Sequence, residues 1–104
     1  MLRIYDVMLG VLQQLRPIVA AIAAHDADLA RQLRRASTSV LLNLAEGSGS
    51  RAGTRRQRYH DALGSTQETA ACLDAANALG YCAIDVALRD ALGRIAATLT
   101  KITR

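Results

Sequence analysis

Hydrophobic residues recur at steps of three and four along most of the chain, the spacing that places them on one face of an α-helix. The first stripe comprises Ile4, Met8, Val11, Leu15, Ile18 and Ile22, and the fourth comprises Ile84, Leu88, Leu92, Ile95, Leu99 and Ile102. Between them lie a second stripe at Leu29, Leu33, Ala36, Val40 and Leu44, and a third at Tyr59, Leu63, Thr66, Ala70, Leu73 and Asn77. The pattern therefore predicts four amphipathic helices, over about 2–24, 28–46, 54–79 and 84–102.

Polar residues and glycines mark where these helices begin and end. Asp26 is the candidate N-cap of the second helix, because its side chain is able to accept a free N–H group of the first turn. The run 47–53, rich in glycine and serine, predicts a loop, and Thr54 after it is the candidate N-cap of the third helix. Gly80 is placed to end the third helix, and Pro17 is expected to kink the first.

Length and composition fit this pattern. A chain of 104 residues forms one domain, here 1–104, and its hydrophobic residues are mostly good helix formers. Its three aromatic residues are all Tyr, so the core is built from Leu, Ile, Val and Ala. Four helices with short connections predict an all-α fold, an antiparallel up-down-up-down four-helix bundle.

Positive charge is concentrated in the middle third of the chain. The net charge is +4, and residues 31–60 carry seven Arg against Glu46 alone. Arg forms forked hydrogen bonds to phosphate or carboxylate groups, which Lys does not. The charge distribution therefore favours an anionic partner or acidic groups on a neighbouring helix or subunit.

A cluster of Arg lies at the predicted start of the third helix. Positive charge there opposes the helix dipole, so stability alone does not explain it. A helix N-terminus with a glycine-rich lead-in and several Arg favours binding of phosphate groups. The hypothesis is a nucleic-acid-binding surface; the alternative is a solvated face paired with acidic residues. The candidate phosphate-contacting residues are Arg31, Arg34, Arg51, Arg55, Arg56 and Arg58.

The second helix has apolar residues outside its core stripe. Leu41, Leu42 and Ala45 fall where the surface helix of a monomer is usually polar. Either they cover a neighbouring loop, or they form a subunit interface, since exposed apolar patches commonly mark contacts. The interface is the favoured interpretation.

One side of the second helix also carries a polar stripe. Its members are Gln32, Arg35, Ser39, Asn43 and Glu46. Glu68 on the third helix is a candidate partner for Arg35, since a charged group beside a core needs compensation. We interpret the stripe as a polar lock between helices or subunits and not as a catalytic site, because no His or Cys joins it.

The remaining reactive residues give no catalytic, cofactor or metal signature. His25 and His60 are isolated, and Cys72 and Cys82 are not in a C-x-x-C pair. No signal sequence and no run of 18 apolar residues is visible, so we expect a cytoplasmic, non-enzymatic protein without a membrane partner.

Several short motifs together resemble one bacterial family. They are Gln32-Leu33-Arg34-Arg35-Ala36, Ser39-Val40, Asn43-Leu44-Ala45-Glu46-Gly47, Tyr59, Ala62-Leu63-Gly64-Ser65, Glu68 and Leu79-Gly80-Tyr81. In combination these are similar to the 23S rRNA intervening-sequence proteins, over about residues 5 to 100. The resemblance places Arg35, Ser39, Asn43, Glu46, Gly47, Gly64 and Glu68 at the family's characteristic positions. For Gly64, close approach of another helix is the expected compensation for its poor helix propensity.

The resemblance implies an assembly and a set of partners. It implies a ring of identical subunits, typically a homopentamer. A group related to that family, the accessory proteins of diversity-generating retroelements, binds nucleic acid and a reverse transcriptase. Two hypotheses follow. One is a ring-forming protein that binds RNA or DNA or assists a reverse transcriptase. The other is a structural oligomer that binds another protein, with the Arg cluster in salt bridges between subunits or with the partner.

Overall fold

The computed structural model describes residues 2–104 and contains four helices in that range. Their bounds are α1 Arg3–Ala23, α2 Ala27–Ser48, α3 Ala52–Ala78 and α4 Val86–Ile102. The predicted all-α four-helix fold is confirmed. The closely packed pairs are α1–α2, α2–α3, α3–α4 and α1–α4, as expected when consecutive helices alternate in direction around a bundle. The molecule measures 42 × 23 × 20 Å.

The core lies along the bundle axis and is formed by the predicted stripes of α1, α2 and α4. Of the predicted residues in these helices, Ile18 and Leu29 are half-buried, Ile102 at the end of α4 is 40% exposed, and the others are buried. Ile84 was predicted to lie in the fourth helix but precedes α4. It packs against the core from the connection between α3 and α4.

The predicted stripe of α3 is partly wrong. Asn77 is exposed, whereas Ala62, Cys72 and Ala76 are buried. The reason is that α3 packs against α2 on one side and α4 on the other, and each contact buries a different set of small side chains. The hydroxyl of buried Thr66 donates to the carbonyl oxygen of Ala62 at 2.8 Å, which satisfies it inside the helix.

The connection between α2 and α3 is shorter than predicted. α2 continues through Gly47 to Ser48, and only residues 49–51 separate it from α3. Thr54 is therefore not an N-cap. It lies inside the first turn of α3, and the N-cap position belongs to Arg51, whose side chain makes no capping bond. Glycine and serine at 47 and 48 are tolerated in the last turn of α2 because tertiary packing outweighs their weak propensity.

The other helix ends follow their sequence signals. The carboxylate of Asp26 accepts the backbone N–H of Leu29 at 3.0 Å, as predicted for an N-cap. Gly80 adopts φ +79°, and the N–H groups of Gly80 and Tyr81 donate to Asn77 and Ala76, which is the Schellman arrangement. Pro17 is accommodated within α1, which is continuous from Arg3 to Ala23.

α1 is long and apolar enough to cross a membrane by length and composition, and it is the one described helix that meets this test. Its buried positions, Ile4, Met8, Val11, Leu15 and Ile22, all belong to the core of the bundle. The buried positions account for part of this apolar character, since 22% of the apolar window is buried inside the bundle.

Candidate nucleic-acid interface

The Arg cluster lies at the end of the bundle where α3 begins and where α2 and α4 end. We call this region, which includes Arg51, Arg55 and Arg56, the basic end. Arg55 there binds the end of α2: its Nε donates to the carbonyl oxygen of Gly47 at 3.2 Å, and its Nη2 donates to that of Ser50 at 2.9 Å. The last carbonyl groups of a helix lack intrahelical partners and carry partial negative charge. Arg55, in the first turn of α3, therefore bonds to one carbonyl oxygen in the last turn of α2 and to one in the connection that follows it.

Arg56 makes the same kind of contact with α4. Its Nε donates to the carbonyl oxygen of Thr103 at 3.0 Å. From the sequence we expected that Arg at the start of α3 would not stabilise the fold. This contact shows that the expectation was wrong. The unfavourable interaction with the dipole of α3 is offset because the same guanidinium groups meet the C-terminal ends of α2 and α4.

The Arg56 contact also enlarges the basic end. Thr103 is followed by Arg104, and Lys101 lies two residues before it; both basic residues are exposed. Lys101 and Arg104 were not among the sequence candidates, because they are more than forty positions from the Arg cluster. The predicted up-down topology could have identified these two residues, because it brings the end of α4 beside the start of α3.

Two further candidates form ion pairs on the surface. Arg58 lies 3.2 Å from the Glu46 carboxylate, and Arg31 lies 2.8 Å from that of Asp28 one turn earlier. All four side chains are substantially exposed, so each pair contributes at most about 1 kcal/mol and opens readily. Arg34 and Arg51 are exposed.

The candidates do not form one continuous patch. Arg51, Arg55 and Arg56 belong to the basic end, and Arg58 stands one turn further along α3. Arg31 and Arg34 lie in the first half of α2, roughly 20–24 Å from Gly47 along the helix at a rise of about 1.5 Å per residue. The structure thus separates the six residues into two groups.

The polar stripe of α2 faces α3, as the interpretation of a lock between helices requires. The Ser39 and Ser65 hydroxyls are 2.9 Å apart and link the two helices. The amide Nδ2 of Asn43 donates to the backbone oxygen of Ser39 at 3.0 Å and to its hydroxyl at 3.1 Å. Ser39 therefore links α2 to α3, and Asn43 holds Ser39 from one turn further along α2.

The expected partnership of Arg35 with Glu68 is not formed as an ion pair within 4.0 Å in the described chain. Both residues line an open groove between α2 and α3, with a volume of about 670 Å³, together with Gln32 and Ser65. Because both side chains are exposed to water, neither needs the other for compensation.

The two motif glycines differ in their surroundings. Gly47 is buried, and a Cβ built on it would lie 2.7 Å from Cδ1 of Tyr59 and closer still to Cε1. Gly64 is exposed, and a Cβ there would meet nothing within 4 Å. The expected close approach of a helix at Gly64 is therefore wrong within this chain, and the close approach occurs at Gly47.

The three residues predicted to form a subunit interface differ in how far they are exposed. Leu41 is half-buried and packs against the core, and Ala45 is half-buried. Leu42 is 55% exposed and is the large exposed apolar side chain of α2. Leu42 is thus the candidate that the bundle itself leaves available for a subunit interface.

The remaining reactive side chains have structural surroundings. His25 and Tyr81 stack with ring centroids 5.1 Å apart and planes inclined by 4°, joining the two connections at the end opposite the basic end. Cys72 and Cys82 are free thiols. Burial raises the pKa of both, and the Glu68 charge adds to the rise at Cys72. Among the described residues, no three His, Cys, Asp or Glu side chains are grouped to hold a metal ion.

Comparison with known families agrees with the resemblance in the motifs. The family model described as 23S rRNA-intervening sequence protein matches residues 6–101. The match covers nearly the whole chain, and the chain belongs to this family. That description names no enzyme class. No curated protein and no solved structure matches the chain.

Proposed function

We propose that this protein is a non-enzymatic, cytoplasmic subunit of a ring, with five copies as the expected number, that binds nucleic acid through its basic end. The observation that carries the proposal is the hydrogen bond from Arg56 to Thr103, which brings Lys101 of α4 and Arg104 beyond it to the Arg cluster of α3. Basic residues from two helices are thereby gathered on one surface. The family description, which refers to an rRNA intervening sequence, favours RNA over DNA as the first ligand to test.

The chemistry of the basic end suits a phosphate backbone better than a single small anion. Its Arg side chains are exposed and spread over the starts and ends of helices instead of converging in a pocket. Nucleic-acid affinity of this kind comes from phosphate neutralisation and counterion release, and it is largely independent of base sequence. Assembly of several copies would repeat the basic end around the ring and add effective concentration to each weak contact.

Arg55 and Arg56 are poor residues for a test, because replacing them also removes hydrogen bonds to the ends of α2 and α4. Arg51 and Lys101 are better positions at which to test the proposal. Both are exposed residues of the basic end, and neither caps a neighbouring helix. The matched control removes two charges elsewhere, at Arg16 and Arg94, which are exposed residues of α1 and α4.

The test is binding of a short RNA duplex and a single strand, measured by fluorescence anisotropy at several salt concentrations. We expect a dissociation constant in the micromolar range at low salt, with log affinity falling by about 0.9 for each phosphate contacted per tenfold rise in salt. R51A/K101A should weaken binding and reduce that slope, while R16A/R94A leaves both nearly unchanged. A dissociation constant above about 100 μM at low salt, or equal losses in the two double variants, overturns the proposal.

A second candidate function is a structural scaffold that binds another protein. It is favoured by the engagement of Arg31, Arg55, Arg56 and Arg58 in contacts within the chain. Such a scaffold would assemble in the same way and ignore RNA at every salt concentration, so the same titration, with the native mass measured beside it, separates the two candidates. A reverse transcriptase is one partner that this candidate would accommodate.

A further inference from the structure

A small apolar cleft lies between α3 and α4 on the outside of the bundle. Its volume is about 170 Å³, and its surface is almost wholly apolar. Its small and apolar lining residues are Thr66, Ala70, Leu73, Ile84, Leu92, Gly93 and Ala96, and Gln67, Asp74 and Arg89 also line it. The cleft exists because Ala70, Gly93 and Ala96 are small, so the two helices leave a gap between them that their own side chains do not fill.

Gly93 has no explanation within one chain. It lies in the interior of α4, where glycine costs about 1 kcal/mol of helix stability relative to alanine, and a Cβ built on it would meet nothing within 4 Å. Unlike Gly64, which has the same open surroundings, Gly93 lines the apolar cleft, and the absence of a side chain there leaves the cleft open to an apolar group of another molecule.

Leu42 on α2 is complementary in shape to the cleft, because it projects from the surface of its helix. It is an isolated apolar side chain, 55% exposed, in the interior of a helix. Four other large apolar side chains are exposed in the described chain. Leu79, Val86 and Ile102 lie at helix ends, and Leu9 on α1 is less exposed, at 38%. Packing of such a side chain into a hole on a facing pair of helices is a common form of helix association.

The charges around the two features are also complementary. Leu42 shares a shallow surface depression with Glu46 and Arg58, which pair with each other, and with Arg34 and Arg35, which supply its net positive charge. Asp74 lines the cleft together with Arg89, its ion-pair partner at 2.7 Å, so the negative charge left beside the cleft is that of Asp90, one turn before Gly93 on the same side of α4. Opposite charges at the rims of an apolar contact fix its orientation and disfavour other pairings.

We propose that Leu42 of one copy inserts into the α3–α4 cleft of the next copy. This inference rests on the proposed self-assembly and specifies its contact. Leu42 and the cleft lie on different surfaces of the same chain, so the contact is heterologous. Repeating it from copy to copy closes a ring when the rotation between neighbouring copies is a whole fraction of a turn. The occupant of the cleft is therefore a second copy of this chain.

The first experiment measures the native mass of single variants by sedimentation or light scattering. Leu42→Ser removes the inserting side chain, and Gly93→Leu fills the cleft, since the Cβ of the new side chain meets nothing within 4 Å in the chain itself. Each should weaken assembly by about tenfold or more, the usual effect of removing a central interface side chain. Leu79→Ser is the matched control, since Leu79 is also an exposed leucine, at 59%, and should assemble as the unmodified chain does. Far-UV circular dichroism checks that every variant is folded.

The second experiment mixes the two variants. L42S keeps an intact cleft and G93L keeps the inserting side chain, so one productive contact remains possible between them. The mixture should give a heterodimer of about twice 11.1 kDa, while each variant alone is monomeric. If the unmodified chain assembles and the variants assemble equally well, or if the mixture gives no heterodimer, the inference fails and the proposed self-assembly stands. A monomeric unmodified chain overturns both.

Discussion

The ring of Tyr59 packs directly on the backbone of Gly47, joining the start of α3 to the last turn of α2. A Cβ at Gly47 would lie 2.7 Å from Cδ1 of the ring, far inside van der Waals contact. Tyr59 is 7% exposed, and no described side-chain polar atom is buried without a partner, so its hydroxyl reaches the surface. The pair sets how closely α2 and α3 approach beside the basic end.

Gly47→Ala is expected to destabilise the protein by about 1–3 kcal/mol. Alanine is the better helix former by about 1 kcal/mol, but the added methyl group forces the Tyr59 ring to move, and overpacking outweighs propensity. The measurement is urea unfolding followed by circular dichroism. Combining Gly47→Ala with Tyr59→Leu should give a loss smaller than the sum of the two single losses. Strict additivity would show that the two residues do not interact.

Gly64→Ala is expected to have the opposite effect. Gly64 lies in the interior of α3, is exposed, and has open space where a Cβ would stand. The substitution should therefore raise the free energy of unfolding by about 0.5–1 kcal/mol, through helix propensity and the lower entropy of the unfolded chain. Unfolding is best measured at low protein concentration, where assembly adds little. A loss of stability there would mean that Gly64 has a contact the chain alone does not provide.

Asp26→Ala is expected to lower stability by about 1 kcal/mol, because the N–H of Leu29 loses its acceptor. Asp28→Ala is the control. Asp28 is an exposed acid in the first turn of the same helix, and its ion pair with Arg31 is worth a few tenths of a kcal/mol. Thermal unfolding of both variants should show the larger decrease in Tm for Asp26→Ala. Equal decreases would assign the effect to charge near the dipole instead of to the cap.

The two thiols should differ in reactivity. Cys72 is buried and Cys82 is half-buried, so a thiol reagent added to the folded protein should label Cys82 first. Peptide mass spectrometry after a timed pulse distinguishes the sites, and denaturant should make their rates similar. Preferential labelling of Cys72 would require that α3 opens locally more often than the connection that holds Cys82.

Stability should fall in alkaline solution because of Cys72. Its pKa in the folded protein is raised above 9.0, first by burial and then by the Glu68 charge. Below pH 9.0 both states keep the thiol protonated and the pKa difference has no effect. As the pH rises above 9.0 the unfolded chain loses the proton more readily, so the free energy of unfolding decreases until the pH passes the folded pKa. Cys72→Ala should show a shallower decrease than the unmodified chain.

The sequence by itself determined the four helices, most of the core and the N-cap at Asp26. Those features depend on spacing and on contacts within a few residues, which the order of residues specifies directly. It also located the Arg cluster, whose residues are neighbours along the chain. The stripe of α3 was harder to predict because this helix buries small residues against two partners, and small side chains give a weak periodic signal.

Only the tertiary structure decided what the cluster and the glycines do. Arg55 and Arg56 bind the ends of other helices, Lys101 and Arg104 join them across the bundle, and Gly47 rather than Gly64 is the point of close approach. The physical reason is the same in each case. These contacts join residues of different helices, and they depend on which helix ends meet and on the distance between helix axes, quantities that are set when the whole bundle packs.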